Sequence, residues 1–231
     1  LTSEILNTSN YDDVERLEAV LTRHQSRVES NLKNNGLGYA LTRLSSYYSN
    51  NGMFSELTGG LEYYNFITDL TDNFDAKHEE ISAKLAQTAQ LLFTQKNLIG
   101  AVTCSDDQYP EYETAFKTFI TTLPEGDGNL NEWTFDHSIK NEGLMSASKV
   151  QYVTKGYDFK QLGYEWNGKI RVLNQILSRE YLQTQIRVIG GAYGGFAGFS
   201  PSGTVYFGSY RDPNLKESLD KSVFNLIFWF S

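Results

Sequence analysis

The chain has 231 residues and a formal net charge of −8, and 40% of its residues are hydrophobic and 14% aromatic. This composition is typical of a folded protein and excludes an intrinsically disordered one. The negative charge disfavours nucleic-acid binding, because affinity for nucleic acid comes mostly from neutralised phosphates. The charge suits a basic peptide partner, although many acidic proteins have no such partner.

Cysteine usage and apolar runs bear on the compartment. Cys104 is the single cysteine, so no internal disulfide can form. A reducing compartment is therefore expected, either the cytoplasm or an organelle matrix. No secretory signal is visible, and no apolar run approaches the roughly 18 residues that a membrane span needs, so no membrane partner is expected. Because the sequence begins at Leu1 without a methionine, we expect a piece of a longer chain.

The first half of the sequence has the apolar period of amphipathic helices. The predicted helices cover about 11–32, 37–49, 53–70, 75–95 and 109–123. Gly59-Gly60 interrupts the third helix, and Asp75 is expected to cap the fourth. The apolar residues of the fourth helix that are expected to be buried are Ile81, Leu85, Ala89 and Leu92.

Two features interrupt the helical pattern. The run NLIGAVTC, at 97–104, is short and apolar between polar ends and predicts a buried strand. The run PEGDG, which begins at Pro124, is a strong breaker of regular structure. The sequence therefore predicts a helix-rich region over 1–123 with a strand near 97–104, a linker over 124–147, and a second domain over 148–231.

The second domain reads as strand, helix, hairpin and helix. The strand is predicted over 148–155, the first helix over about 169–181 and the last helix over about 214–223. This order indicates a mixed α/β protein of the α+β class. Its helical N-terminal portion is followed by a mostly antiparallel sheet packed against helices.

The stretch from Arg187 to Asn214 (RVIGGAYGGFAGFSPSGTVYFGSYRDPN) interleaves glycines with aromatic residues. Five glycines fall within the nine residues 190–198, and the turn SPSG joins two aromatic runs. Glycine allows close backbone approach, and aromatic residues at alternate positions suit a half-buried sheet. We predict a long, bent hairpin that begins at Arg187, followed by a helix that Asp212 caps. The G-x-G-x-x-G register of a nucleotide-binding loop is missing.

The same stretch carries a resemblance to a known family. RVIGGAYGGF, followed by SYRDPN, resembles the C-terminal half of the insulinase (pitrilysin) superfamily of zinc metallopeptidases, in its presequence-protease branch. The segment RVESNLKNNGLGYALTRLSSYYSNNGMFSELTGGLEYYNFITDL is similar to the helical region of that branch. The resemblance implies that residues 1–123 are the later part of a third repeat domain and residues 148–231 a truncated fourth.

The resemblance also implies where the metal belongs. In this superfamily the motif H-x-x-E-H of the N-terminal half holds zinc, and the C-terminal half closes over it to enclose a peptide in a chamber. None of His24, His78 and His137 begins that motif here. We therefore expect no metal ligand and no cofactor in this chain, zinc in the full-length enzyme, and no activity of the chain alone. The implied partners are the N-terminal catalytic half and a peptide substrate.

The R-x-x-G-G-A-Y segment of the family supplies an arginine and a tyrosine, which match Arg187 and Tyr193 here. The resemblance implies auxiliary catalytic roles for both, because a guanidinium and a phenol hydroxyl are suitable donors to an oxyanion or a substrate carbonyl. The residues expected to contact substrate are Gly190, Gly191, Ala192 and Gly194. From composition alone, Arg187 fits a surface strand position and Tyr193 a core aromatic.

Two other functions stay open on the sequence. The superfamily includes inactive homologues, so a non-catalytic structural or peptide-binding module is the main alternative. A free-standing acidic helical adaptor is a third, but it does not account for the glycine-rich hairpin.

Overall fold

The computed structural model describes residues 2–127, 132–145 and 150–229, with side chains described as far as Ser222. Parts of the predicted linker, at 128–131 and 146–147, lie outside the described residues, as do the first two residues of the predicted strand 148–155.

The chain divides into two compact units, each discontinuous in sequence. Unit 1 comprises Leu1–His24 and Thr68–Glu132, and unit 2 comprises Gln25–Ile67 and Trp133–Ser231. These units do not coincide with the predicted regions 1–123 and 148–231, because helices α2 and α5 each run from one unit into the other. The assignment to a third and a fourth repeat domain stays a prediction.

The helices predicted for the first half are confirmed. They are α1 (Thr2–Thr8), α2 (Val14–Asn34), α3 (Gly36–Ser46), α4 (Asn50–Gly59), α5 (Leu61–Asp72), α6 (Phe74–Leu92) and α7 (Tyr109–Ile120). At the start of α2, the Arg16 N–H donates to Asp13 Oδ1 over 3.0 Å, which is an N-cap contact. No described helix combines the length and apolarity needed to cross a bilayer.

The second half confirms the mixed α/β class. Its elements are β1 (Gln151–Asp158), α8 (Lys169–Ile176), a π-helical segment (Leu177–Ile189), β2 (Gly194–Phe199), β3 (Thr204–Asp212) and α9 (Leu215–Trp229). The helix predicted over 169–181 is longer than expected, because its backbone continues without a break into the π-helical segment.

The strand predicted over 97–104 does not form. Gln95–Asn97 is a 3-10 turn, and the described strands lie at 151–158, 194–199 and 204–212. Ile99 is 91% exposed and Val102 is 41% exposed, so the run is not buried. An apolar run becomes a strand only where a neighbouring strand can satisfy its backbone hydrogen bonds, and none of the described strands pairs with it.

Two predictions for α6 are also wrong. Leu85 is 38% exposed and Leu92 is 57% exposed, whereas burial was expected. The helical period sets which residues share a face, but not what packs on that face. Asp75 does not cap the helix, since α6 begins at Phe74 after Asn73 and its N-cap has no side-chain hydrogen bond.

The sheet has three antiparallel strands in the order β1-β3-β2. On one face, Val205 and Phe207 of β3 pack with Leu182 and Ile186 of the π-helical segment, and none of the four is more than 2% exposed. On the other face lies α3, from which the Tyr48 hydroxyl, just past its end, donates to the Gly156 carbonyl over 2.7 Å. Both sheet faces are therefore covered within unit 2.

One buried arginine ties α3 to three other segments of unit 2. The Arg43 guanidinium donates to Glu142 over 2.8 and 3.0 Å, to Glu62 over 2.8 Å and to Glu56 over 3.3 Å. Tyr47 also donates its hydroxyl to Glu142. The bonds from Arg43 hold the pKa of Glu142 at about 2, and burial together with Glu142 raises the pKa of Tyr47 to about 12. Arg43 therefore holds the extended segment around Glu142 against the helices.

Replacing Glu142 with Gln is expected to lower the free energy of unfolding at pH 7 by roughly 1.5–3 kcal/mol, since charge-assisted bonds to Arg43 are lost. Because the pKa of Glu142 is depressed in the folded chain, the wild-type advantage is complete above pH 4.5 and is lost as the pH falls through about 2. Urea denaturation of both chains across this pH range measures the difference.

Glu29→Gln is the matched control in the same unit. Glu29 pairs with Lys33 over 2.7 Å on the exposed side of α2. Removing this pair should cost only a few tenths of a kcal/mol, as is usual for exposed pairs one helical turn apart. Equal effects of the two substitutions would contradict the role assigned to Glu142.

Candidate functional site

The predicted hairpin begins later than expected, because Arg187 lies in the last turn of the π-helical segment and not in a strand. The Gly190 N–H donates to the Gln185 carbonyl over 3.1 Å, and the Gly191 N–H to the Arg187 carbonyl over 2.9 Å. Gly191 then has a φ of +78°, a left-handed conformation that glycine adopts without strain and that ends helices. The hairpin proper consists of β2 and β3.

The short connection between the π-helical segment and β2 brings Arg187 and Tyr193 together. The guanidinium carbon of Arg187 lies 5.8 Å from the centroid of the Tyr193 ring, within the range of a cation–π contact. Arg187 is exposed, and Tyr193 is 66% exposed. A strand position for Arg187 and a core position for Tyr193, which composition alone suggested, are therefore both wrong.

Arg187 is free of carboxylates in the described part of the chain. Neither a hydrogen bond nor an ion pair joins its guanidinium to any described Asp or Glu, in contrast to Arg43. Its donors are therefore available to an acceptor from outside this chain.

The four residues expected to contact substrate have different surroundings. Gly191 is exposed, and a Cβ added to Gly194 would meet no atom within 4 Å. The Gly190 carbonyl accepts a hydrogen bond from the side-chain amide of Asn214. Ala192 is only 4% exposed, and its side chain belongs to the core. Gly191 and Gly194 thus leave open backbone beside Tyr193, whereas Ala192 anchors the connection.

Comparison with known proteins identifies the family. Residues 1–70 match a family described as peptidase-associated, and residues 141–225 match the family described as "PreP C-terminal domain". Together the two matches cover more than half of the chain. The chain belongs to the presequence-protease family of peptidases.

Individual relatives agree with this assignment. "Protein HypA" of Clostridium perfringens is 33% identical over 220 residues, which are 95% of this chain and 22% of the relative. "Presequence protease 1, chloroplastic/mitochondrial" of Arabidopsis thaliana is 32% identical over 218 residues, 94% of this chain and 20% of the relative. "Presequence protease, mitochondrial" of Drosophila melanogaster is 26% identical over 223 residues, 95% and 21%. The chain therefore spans about a fifth of the length of these relatives.

The described residues of this family member do not fit a metal centre. They contain no group of three His, Cys, Asp or Glu side chains that could hold an ion. His137 contacts the Ser46 carbonyl and Asn50 Oδ1 over 3.0 and 2.9 Å. His78 contacts the Asp75 carbonyl over 3.0 Å, and its ring packs on Phe74 with the centroids 5.9 Å apart.

Three residues that the sequence did not single out lie next to the site. The Tyr193 N–H donates to the Tyr210 carbonyl over 2.9 Å, and the two rings meet edge to face with their centroids 6.1 Å apart. Tyr210 in turn packs on Tyr152, with the centroids 5.3 Å apart, and beneath the guanidinium of Arg211, 5.5 Å from its ring centroid. The motif SYRDPN contained this signal, but it was interpreted only as a strand end and a helix cap.

Close packing at Gly195 positions Tyr193. A Cβ added to Gly195 would lie 2.8 Å from Ile186 Cβ and 2.9 Å from the Leu182 carbonyl oxygen, so β2 or the π-helical segment would have to move. Gly195→Ala is therefore expected to lower the free energy of unfolding by roughly 1–3 kcal/mol. Chemical denaturation of the variant and the wild-type chain measures this loss.

Gly194→Ala provides the control at the neighbouring residue, because an added Cβ there meets open space. Its free energy of unfolding should stay within about 0.5 kcal/mol of the wild type. If Gly195→Ala were tolerated equally well, close packing would not be what holds β2 against the helix.

Proposed function

We propose that this chain is the non-zinc-bearing C-terminal part of a zinc metalloendopeptidase that degrades peptides in an enclosed chamber. In this proposal the N-terminal half of the same enzyme holds the metal, and this chain supplies contacts to the substrate and to the transition state. The observation that carries the proposal is the exposed pair of Arg187 and Tyr193, whose guanidinium carbon and ring centroid are 5.8 Å apart.

The chemistry of the pair supports this role. Peptide hydrolysis passes through a tetrahedral intermediate whose oxygen carries a developing negative charge. Fixed hydrogen-bond donors aimed at that oxygen stabilise the transition state. The Arg187 guanidinium and the Tyr193 hydroxyl are such donors, and a guanidinium gives stronger hydrogen bonds than a neutral donor. Arg187 has no described carboxylate partner to compete with the substrate.

The glycines beside the pair support contact with an extended peptide. Gly191 is exposed, and the space beside Gly194 is open. A peptide backbone can therefore approach this strand end closely, which a side chain at either position would hinder.

The relatives suggest a compartment. Two of the presequence proteases are named as mitochondrial or as chloroplastic and mitochondrial proteins. An organelle matrix or the cytoplasm suits a chain whose single cysteine, Cys104, is exposed and free.

In the full-length parent polypeptide, Arg187→Ala and Tyr193→Phe are each expected to lower kcat by roughly 10²–10³, because each removes one donor to the oxyanion. Hydrolysis of a fluorogenic peptide, followed by steady-state kinetics, measures the loss. Thermal melting of the same variants shows whether the fold is intact.

Arg179→Ala and Tyr109→Phe are the matched controls. Arg179 is exposed on the same π-helical segment, and Tyr109 is 48% exposed on α7. Neither should change kcat. If Arg187→Ala and Tyr193→Phe hydrolyse peptide like the wild type, the proposed catalytic role is wrong, and a structural or peptide-binding module is the better description.

The isolated chain is expected to cleave no peptide, since its described residues include no metal-binding group. Incubation of the purified chain with a peptide mixture, followed by mass spectrometry, tests this. Cleavage that a chelator abolishes would contradict the proposal, because it would require a zinc site within these 231 residues.

A further inference from the structure

Arg211 occupies an irregular place in β3. Gln151 of β1 pairs with Asp212, and Val153 pairs with Ser209. One residue of β1, Tyr152, therefore lies opposite two residues of β3, Tyr210 and Arg211. This arrangement is a β-bulge, which locally changes the direction in which a side chain points.

The bulge changes which face of the sheet Arg211 lies on. Val205, Phe207 and Ser209 are each 1% exposed on the face that packs against the π-helical segment. Strict alternation would place the side chain at 211 on that same buried face. Instead, Arg211 is exposed, and Asp212, which is 2% exposed, is buried.

The backbone at Arg211 is strained. Its φ is +50°, and it is the one non-glycine residue with a positive φ among those described. A left-handed conformation costs a residue with a Cβ roughly 1–2 kcal/mol. Asp212 explains why a bulge is useful, because its Oδ1 accepts from the Asn214 N–H over 2.8 Å. It does not explain an arginine where glycine or asparagine would be unstrained.

The side chain of Arg211 is presented on an aromatic surface. Its guanidinium carbon lies 5.5 Å from the Tyr210 ring centroid, and the Tyr210 ring contacts the Tyr193 ring. On the far side of Tyr193 lies Arg187. A row of contacts therefore runs from Arg187 through Tyr193 and Tyr210 to Arg211, with a cation at each end.

Neither cation of this row is neutralised by the described chain. The sequence contains 28 Asp and Glu residues against 20 Lys and Arg. No described carboxylate forms an ion pair or a hydrogen bond with Arg187 or Arg211. An exposed guanidinium stacked on an aromatic ring keeps its planar set of donors free, and this geometry matches a carboxylate.

We propose that Arg211 is a substrate-binding residue that pairs with a carboxylate of the bound peptide. The carboxylate is either the C-terminal carboxylate or the side chain of an Asp or Glu in the peptide. This inference rests on the proposed function, in which the peptide lies along Arg187 and Tyr193. Arg211 selects peptides and takes no part in bond cleavage.

The test uses the full-length parent polypeptide and three fluorescently labelled peptides of one sequence. The first has a free C-terminal carboxylate and an internal glutamate, the second has a C-terminal amide, and in the third glutamine replaces the glutamate. Fluorescence anisotropy measures Kd in the presence of a chelator, so that no peptide is cut during the measurement. The variant is Arg211→Asn, because asparagine tolerates a left-handed backbone.

For the first peptide, Arg211→Asn should raise Kd by roughly ten- to hundredfold, which is the range for a hydrogen bond to a charged group. Of the other two peptides, the one that lacks the recognised carboxylate should bind the wild type equally weakly and lose nothing in the variant. That peptide identifies the source. Arg211→Lys should weaken binding less, and Arg179→Asn not at all. The melting temperature of Arg211→Asn should not fall.

Unchanged Kd values for all three peptides in Arg211→Asn would overturn the inference. An equal loss for all three, together with a lower melting temperature, would also overturn it and would leave the bulge a structural role only. The proposed function is judged separately, by hydrolysis in Arg187→Ala and Tyr193→Phe. A carboxylate-dependent Kd at Arg211 with no effect of those two variants on hydrolysis would reject the catalytic role and retain the peptide site.

Discussion

The close approach of β2 to the π-helical segment is the contact on which the candidate site depends. At Gly195 there is no room for a side chain, since an added Cβ would lie 2.8 Å from Ile186 Cβ. Arg187 follows Ile186 directly, and Tyr193 lies two residues before Gly195. The same packing that buries Ile186 and Ala192 therefore leaves Arg187 and Tyr193 side by side on the surface. Core packing and site geometry are one constraint here.

The arginines of unit 2 divide into two kinds by their surroundings. Arg43 directs its donors to three glutamates, one of which, Glu56, is completely buried. Such an arginine is structural, because its removal would leave a buried carboxylate unpaired. Arg187 and Arg211 contact aromatic rings and no described carboxylate. In an acidic chain, that difference separates an arginine that holds the fold from one that is available to a ligand.

Local periodicity predicted most of the fold, and tertiary context explains the failures. The helical stripe of α2 and the break at Gly59-Gly60 follow from residue spacing alone. The strand near 97–104 was wrong, since the apolar pattern of that run carries no information about a pairing partner. Arg187 and Tyr193 were found through the family resemblance. Arg211 was missed because a bulge depends on the pairing of β3 with β1, which the sequence of β3 does not reveal.

Unit 2 is built from both of the segments that match the family. Arg43 lies in the first matched segment, 1–70, and its partner Glu142 lies in the second, 141–225. The Tyr48 hydroxyl also bonds to Gly156 of β1, on the sheet face opposite the π-helical segment. The sheet that presents Arg187, Tyr193 and Arg211 therefore has the helices of the first segment as its support. Cutting this chain within the region 124–147 would separate the site from that support, so the natural unit for studying the site includes both segments.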